Sequence, residues 1–214
     1  MRGLILKDLL NLRKNIRTVL IIGGAYSIFF SAFQPAAMVG IIMILFMTQS
    51  LTTFSYDEYS KWNLYALSLP ISRQQLVKGK YIVSYLLLIV GAILSFLTTL
   101  VISLFKETFN LFELTSSTFA CFSVIAVMLM ILLPLIYKFG VERGRILILA
   151  VFGIPTLLIL ITFKLLTIMN ISMPTPEQLE LWLSYTPIIM PIFLALLTYL
   201  SYRLSIKLML KTEL

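Results

Sequence analysis

The sequence predicts an all-α integral membrane protein: six transmembrane helices, both termini cytoplasmic, one transmembrane domain over residues 1–214. Three observations predict it. The first is composition. The 214 residues are 60% hydrophobic and 12% charged, whereas a soluble domain carries about 25% charged residues. One soluble core could not hide that much apolar surface, and lipid is the fitting solvent. The second is a series of apolar runs long enough to cross a hydrocarbon core of about 30 Å. The third is charge: fifteen of the seventeen basic residues fall on one side of the topology those runs define.

The chain opens with an amphipathic helix over 1–17. Ile5, Leu9, Leu12 and Ile16 share one face, and Lys7, Asn11 and Lys14 another. That pattern suits a helix lying on the inner leaflet, or one packed against the protein's own cytoplasmic side. No small-residue cleavage site follows the first apolar run, so the first span is expected to stay as an anchor.

Residues 18–56 hold no charge, and their length suits two spans rather than one. A turn at Phe33-Gln34-Pro35-Ala36 divides them into spans at about 18–33 and 36–54. Further spans follow at about 81–105, 114–137, 146–163 and 181–202. Gly153 and Pro155 predict a kink in the fifth.

The basic residues test this count. Arg2, Lys7, Arg13, Lys14 and Arg17 precede the first span, and Lys61, Arg73, Lys78 and Lys80 join the second to the third. Lys138, Arg143 and Arg145 join the fourth to the fifth, and Arg203, Lys207 and Lys211 follow the last. Only Lys106 and Lys164 lie opposite. The positive-inside rule then puts both ends in the cytoplasm. It also accounts for the net charge of +8 without nucleic acid, because the cations alternate with apolar spans.

Two connections carry further patterns. Between the second and third spans, Tyr56-Asp57-Glu58-Tyr59-Ser60-Lys61-Trp62-Asn63-Leu64-Tyr65 is a helix-compatible run of charges and aromatics. Leu69-Pro70 ends it, and Ser72 with Gln75 forms a capping box for a second helix, which Gly79 weakens. Aromatic and charged residues on a short exposed helix favour a protein contact at Trp62. Between the fifth and sixth spans, Thr175, Pro176, Glu177 and Gln178 signal a helix start, with Leu179 and Trp182 following. A short external helix before Pro187 is the expectation.

Several chemistries are excluded. The chain has no G-x-x-x-x-G-K-[ST] loop to bind ATP. It has no histidine and no ionisable group well inside a span, as proton relays require. We therefore assign no catalytic residue, no metal site and no cofactor to this chain. Cys121 reads as a small buried hydrophobe.

These blocks resemble a known family. Met1-Arg2-Gly3-Leu4-Ile5-Leu6-Lys7-Asp8-Leu9-Leu10 is similar to the opening of small bacterial ABC-2 type permeases. So are Phe54-x-Tyr56-Asp57-Glu58-x-Ser60-Lys61-Trp62, Leu69-Pro70-Ile71-Ser72-Arg73 and Val77-x-Gly79-Lys80-Tyr81. Motifs match over residues 1–81, and topology over the whole chain. Among characterised members, permeases of phenol-soluble modulin and lantibiotic-type peptide exporters look nearest.

The resemblance implies a plasma-membrane subunit that pairs with a second permease protomer, identical or different, and with two ABC ATPase subunits. ATP and Mg would be bound by those partners. A coupling helix would seat in the ATPase through Asp57, Glu58, Tyr59, Lys61, Trp62 and Tyr65. Lys138, Glu142 and Arg143 would form a smaller cytoplasmic contact. The expected activity is export of amphipathic or hydrophobic peptides. The competing expectation is a membrane immunity or sensor subunit without transport.

Overall fold

A computed structural model of the chain describes residues 2–30, 35–105, 110–168 and 176–211. Six helices follow one another: α1 (Arg2–Phe30), α2 (Pro35–Tyr59), α3 (Trp62–Leu67), α4 (Arg73–Phe105), α5 (Leu111–Ile168) and α6 (Pro176–Lys211). Among the described residues there is no strand. Helices satisfy their backbone groups internally, which a chain surrounded by hydrocarbon must do.

Five segments among the described residues are long and apolar enough to cross a membrane. They are Val39–Tyr59, Arg73–Phe105, Leu111–Arg143, Leu149–Ile168 and Ile189–Leu210. α4, with 33 residues, is about 50 Å long, well over a ~30 Å hydrocarbon core. Its first turns, which carry Arg73, Lys78 and Lys80, therefore project beyond the apolar layer.

Packing reverses the polarity expected in water. On α4, Leu86, Val90, Ile93, Leu97, Val101 and Leu104 are exposed, forming one continuous stripe. The opposite face buries Ser84, Leu88, Gly91, Ser95, Thr99 and Ser103. Small residues let helices approach and large apolar ones meet lipid. At Gly91 the approach is closest: a Cβ there would lie 2.8 Å from the Phe46 Cβ of α2. Ser50 of α2 and Ser84 of α4 bond to each other in the same interface.

Hydroxyls also tie in α6. The Tyr81 hydroxyl lies 2.6 Å from Ser201 Oγ and 2.8 Å from Ser205 Oγ. Ser201 donates in turn to the Met130 carbonyl of α5 at 2.6 Å. Tyr85 pairs with Thr198. Met43, Met47, Leu88, Leu129, Met130 and Leu133 fill the centre.

Four sequence expectations change. The amphipathic segment and first span are one helix, α1, because no helix-breaking residue separates them. Its Leu12 is fully buried, with Ile5 and Ile16 packed beside it, so its apolar face packs on protein. The expected turn at Phe33-Gln34-Pro35-Ala36 lies partly outside the described residues; α2 begins at Pro35.

The run from Tyr56 to Tyr65 is not one helix. α2 ends at Tyr59, Lys61 takes a left-handed conformation (φ 50°), and α3 starts at Trp62.

The fourth and fifth spans are joined by one non-helical residue, Gly140 (φ 78°, ψ 174°), which divides α5 into arms 111–139 and 141–168. That conformation is essentially restricted to glycine. Gly153 and Pro155 lie within the second arm, where the backbone keeps helical dihedrals.

Finally, no separate external helix precedes the last span. α6 runs unbroken from Pro176 through Pro187 and Pro191 to Lys211. Thr175 lies outside the described residues, whereas Pro176, Glu177, Gln178 and Trp182 occupy the first turns of α6.

The capping box does form. Gln75 N donates to Ser72 Oγ at 3.2 Å, and Ser72 N donates to Gln75 Oε1 at 3.1 Å. Gly79 does not interrupt α4, and it packs beside Leu4 of α1.

Candidate functional site

The start of α1, the end of α2, the start of α4, the corner of α5 and the end of α6 converge at one end of the bundle. Three buried charges, Asp8, Asp57 and Lys80, and the partly buried Lys7 hold the first three together. Lys80 Nζ lies 2.6 Å from Asp57 Oδ2 and 3.1 Å from Asp8 Oδ1. Lys7 Nζ contacts Asp57 Oδ1 at 2.5 Å and Asp8 Oδ1 at 3.1 Å. The carboxylates are 4–5% exposed, and Lys80 is 10% exposed. Two cations and two anions thus form a closed neutral ring, the arrangement that makes buried charge tolerable. Lys80 also donates to the Thr53 carbonyl at 3.1 Å, which gives its ammonium a third partner.

Aromatic rings surround this cluster. The Lys7 ammonium sits 4.4 Å from the centre of the Trp62 ring, and Lys80 sits 5.0 Å from that of Phe54. Both distances suit cation–π attraction. Phe54 meets Tyr137 of α5 edge-on at 5.5 Å. A cavity of about 260 Å³ opens beside the ring, lined by Lys7, Asp57, Trp62, Tyr137 and Gly140 among others.

Two further bonds bring in α5 and α6. Glu58 Oε2 accepts from Val141 N at 2.9 Å. Val141 is the first residue of the second arm, so its N–H has no partner within the helix. Arg73 donates to the Met209 carbonyl at 2.8 Å, satisfying a C-terminal carbonyl of α6 with a cation, as the helix dipole favours.

The predicted coupling residues therefore divide. Asp57 is buried in the ring, and Trp62 is partly buried beneath Lys7. Glu58 is exposed but commits its carboxylate to Val141. Tyr59 is 91% exposed and Tyr65 59%; Lys61 is exposed as well. Lys138, Glu142 and Arg143 are exposed at the α5 corner, Lys138 lying over the Phe139 ring.

Lys7, Asp8, Lys80, Arg73 and Gly140 do not stand out in the sequence as site residues. Lys7 reads in sequence as a solvent-facing cation, and Lys80 as one more topological charge. Their signal was opposite charges at the ends of three adjacent helices, which has meaning only once those ends are known to meet.

No ion is required to balance this cluster, and no group of three or more potential metal ligands exists among the described residues. The arrangement contains no nucleophile paired with a base.

A family model described as ABC-2 family transporter protein matches residues 3–209. The chain belongs to the ABC-2 transporter family. It is thus a permease subunit of an ABC transporter, and the family implies partnership with an ABC ATPase. No curated protein and no solved structure matches this permease. Its apolar helices and family suggest a multi-pass protein of the plasma membrane.

Proposed function

We propose that this permease exports amphipathic or hydrophobic peptides across the bacterial plasma membrane, driven by ATP hydrolysed on separate ATPase subunits. The observation that carries the ATP-driven part is α3 and its flanks. Tyr59, Leu64 and Tyr65 are exposed large side chains at the end of the bundle where five helices are tied together. Lipid does not explain them, because the neighbouring charges and caps put this end beyond the apolar layer. An ATPase surface does. Tyr59, Lys61, Leu64 and Tyr65 form the proposed contact, with Lys138, Glu142 and Arg143 as a lesser one. ATP and Mg belong to the partner.

Six spans with both termini cytoplasmic remain the best topology. α1 leaves the charged end and α2 returns to it. α4 leaves, the two arms of α5 return and leave, and α6 returns. The basic residues at that end fit the cytoplasmic side. Pairing with a second protomer, and a greasy peptide as cargo, follow from the family resemblance. The absence of a charge in the middle of α2 or α4 is compatible with such a cargo.

The experiment is copurification followed by transport. Tagged permease should bring down a P-loop ATPase, and the reconstituted complex should move a labelled amphipathic peptide only with ATP. Hydrolysis without peptide movement would leave the permease reading intact and reject the cargo.

A further inference from the structure

We propose that Glu58 is a positioning residue that carries movement of the α2–α3 junction into the second arm of α5. The proposal rests on reading the chain as an ATP-driven permease, and deepens it. The second arm begins immediately after Gly140, whose positive φ suits glycine. Glycine brings no side chain to cap the helix that follows, so the local sequence leaves the Val141 N–H without an acceptor. Glu58, 83 positions earlier in the chain, supplies it at 2.9 Å. A carboxylate is also the favoured charge at a helix N-terminus.

The fit is close on both oxygens. While Oε2 accepts from Val141, Oε1 lies 3.4 Å from where a Cβ on residue 140 would stand. The turn itself needs glycine, because of its positive φ.

The two ends of this tie have opposite characters. On one side, Glu58 directly precedes Tyr59, and only Ser60 and Lys61 separate α2 from α3. Displacement of α3 by a docked ATPase therefore reaches Glu58 through the three residues Tyr59, Ser60 and Lys61. On the other side, the second arm is held near the corner by Val141 and Val151, which join the core. Beyond Phe152, which is partly buried against the core, Ile154, Leu157, Leu158, Leu160 and Ile161 are each more than half exposed, and Leu166 is partly buried. An arm packed on the core near its base and mostly exposed beyond it can follow its base when the base turns. Glu58 holds that base.

The expectation that Glu58 itself docks on the ATPase thereby changes: its carboxylate is used within the permease. The test places spin labels at cysteines introduced for Leu97 and Leu157, both exposed, in a Cys121→Ser background. The copurified ATPase complex is reconstituted in nanodiscs. The 97–157 distance is compared without nucleotide and after trapping with ATP and vanadate.

The proposal expects a nucleotide-dependent shift in the parent protein. Glu58→Ala abolishes it while the ATPase still copurifies. Glu58→Gln, which keeps an acceptor oxygen for Val141, restores it. A shift of parental size in Glu58→Ala overturns the proposal and leaves the permease reading standing. So does loss of the ATPase from Glu58→Ala, which makes Glu58 a docking residue. A parent chain that binds no P-loop ATPase overturns the permease reading itself, and the proposal with it.

Discussion

Lys80 of α4 and Asp57 of α2 form a buried ion pair at 2.6 Å, and each is bonded a second time within the same ring. Lys80 reaches Asp8, and Asp57 reaches Lys7. The pair is therefore the seam through which α1, α2 and α4 share one charge balance. Removing one member leaves an uncompensated buried charge, which typically costs about 3–5 kcal/mol. Lys80→Met should lower the melting temperature in detergent sharply and reduce yield. Lys80→Met with Asp57→Asn should recover part of the loss, because Lys7 and Asp8 still balance. A double variant as poor as the sum of the singles contradicts the ring.

Gly91 faces the Phe46 Cβ itself, with the two positions 2.8 Å apart. Gly91→Ala should cost about 1–3 kcal/mol by overpacking, read as thermal unfolding. Phe46→Leu should not rescue it, because leucine retains the offending Cβ. Rescue by that change would show that ring bulk, not backbone approach, sets the spacing of α2 and α4.

Gly140 adopts a conformation that side chains resist. Gly140→Ala should cost about 1–3 kcal/mol from backbone strain, and should also disturb the Glu58 cap. Amide exchange at Val141 would report both effects. Unchanged exchange and unchanged melting would mean that the corner relaxes freely.

Thr99 buries a hydroxyl whose Oγ1 has no partner among the described residues. Thr99→Val keeps the shape and removes the unpaired group. It should be neutral or stabilise the isolated permease by about 1 kcal/mol. A comparable loss of stability would reveal a partner for that hydroxyl in the folded protein.

Much of this architecture is legible in sequence, for identifiable reasons. Membrane helices are set by local composition, so the apolar runs from 36 to 54 and from 81 to 105 point directly to α2 and α4. The Ser72–Gln75 box is equally local and forms as written. Helix interruptions read less well. Pro155, Pro187 and Pro191 look like breaks but stay within helices, because packing and solvent decide whether a lost hydrogen bond bends the chain.

The opposite error occurs at Gly140, which breaks α5 inside a charged segment where glycine draws no notice. The site divides in the same way. Exposed Tyr59 and Tyr65 stand out as aromatics in a polar loop. The ring of Lys7, Asp8, Asp57 and Lys80 is long-range, joining residues up to 73 positions apart, and sequence shows only four ordinary charges.

The α3 surface bears the central claim. Tyr59 and Tyr65 are exposed and outside the buried ring, so changing both to alanine should spare the fold. Copurification of the P-loop ATPase with the tagged permease tests this most directly. The account predicts ATPase recovery with the parent chain and at least a tenfold loss with Tyr59→Ala/Tyr65→Ala at unchanged melting temperature. Recovery of the ATPase at parental level with that variant would contradict it.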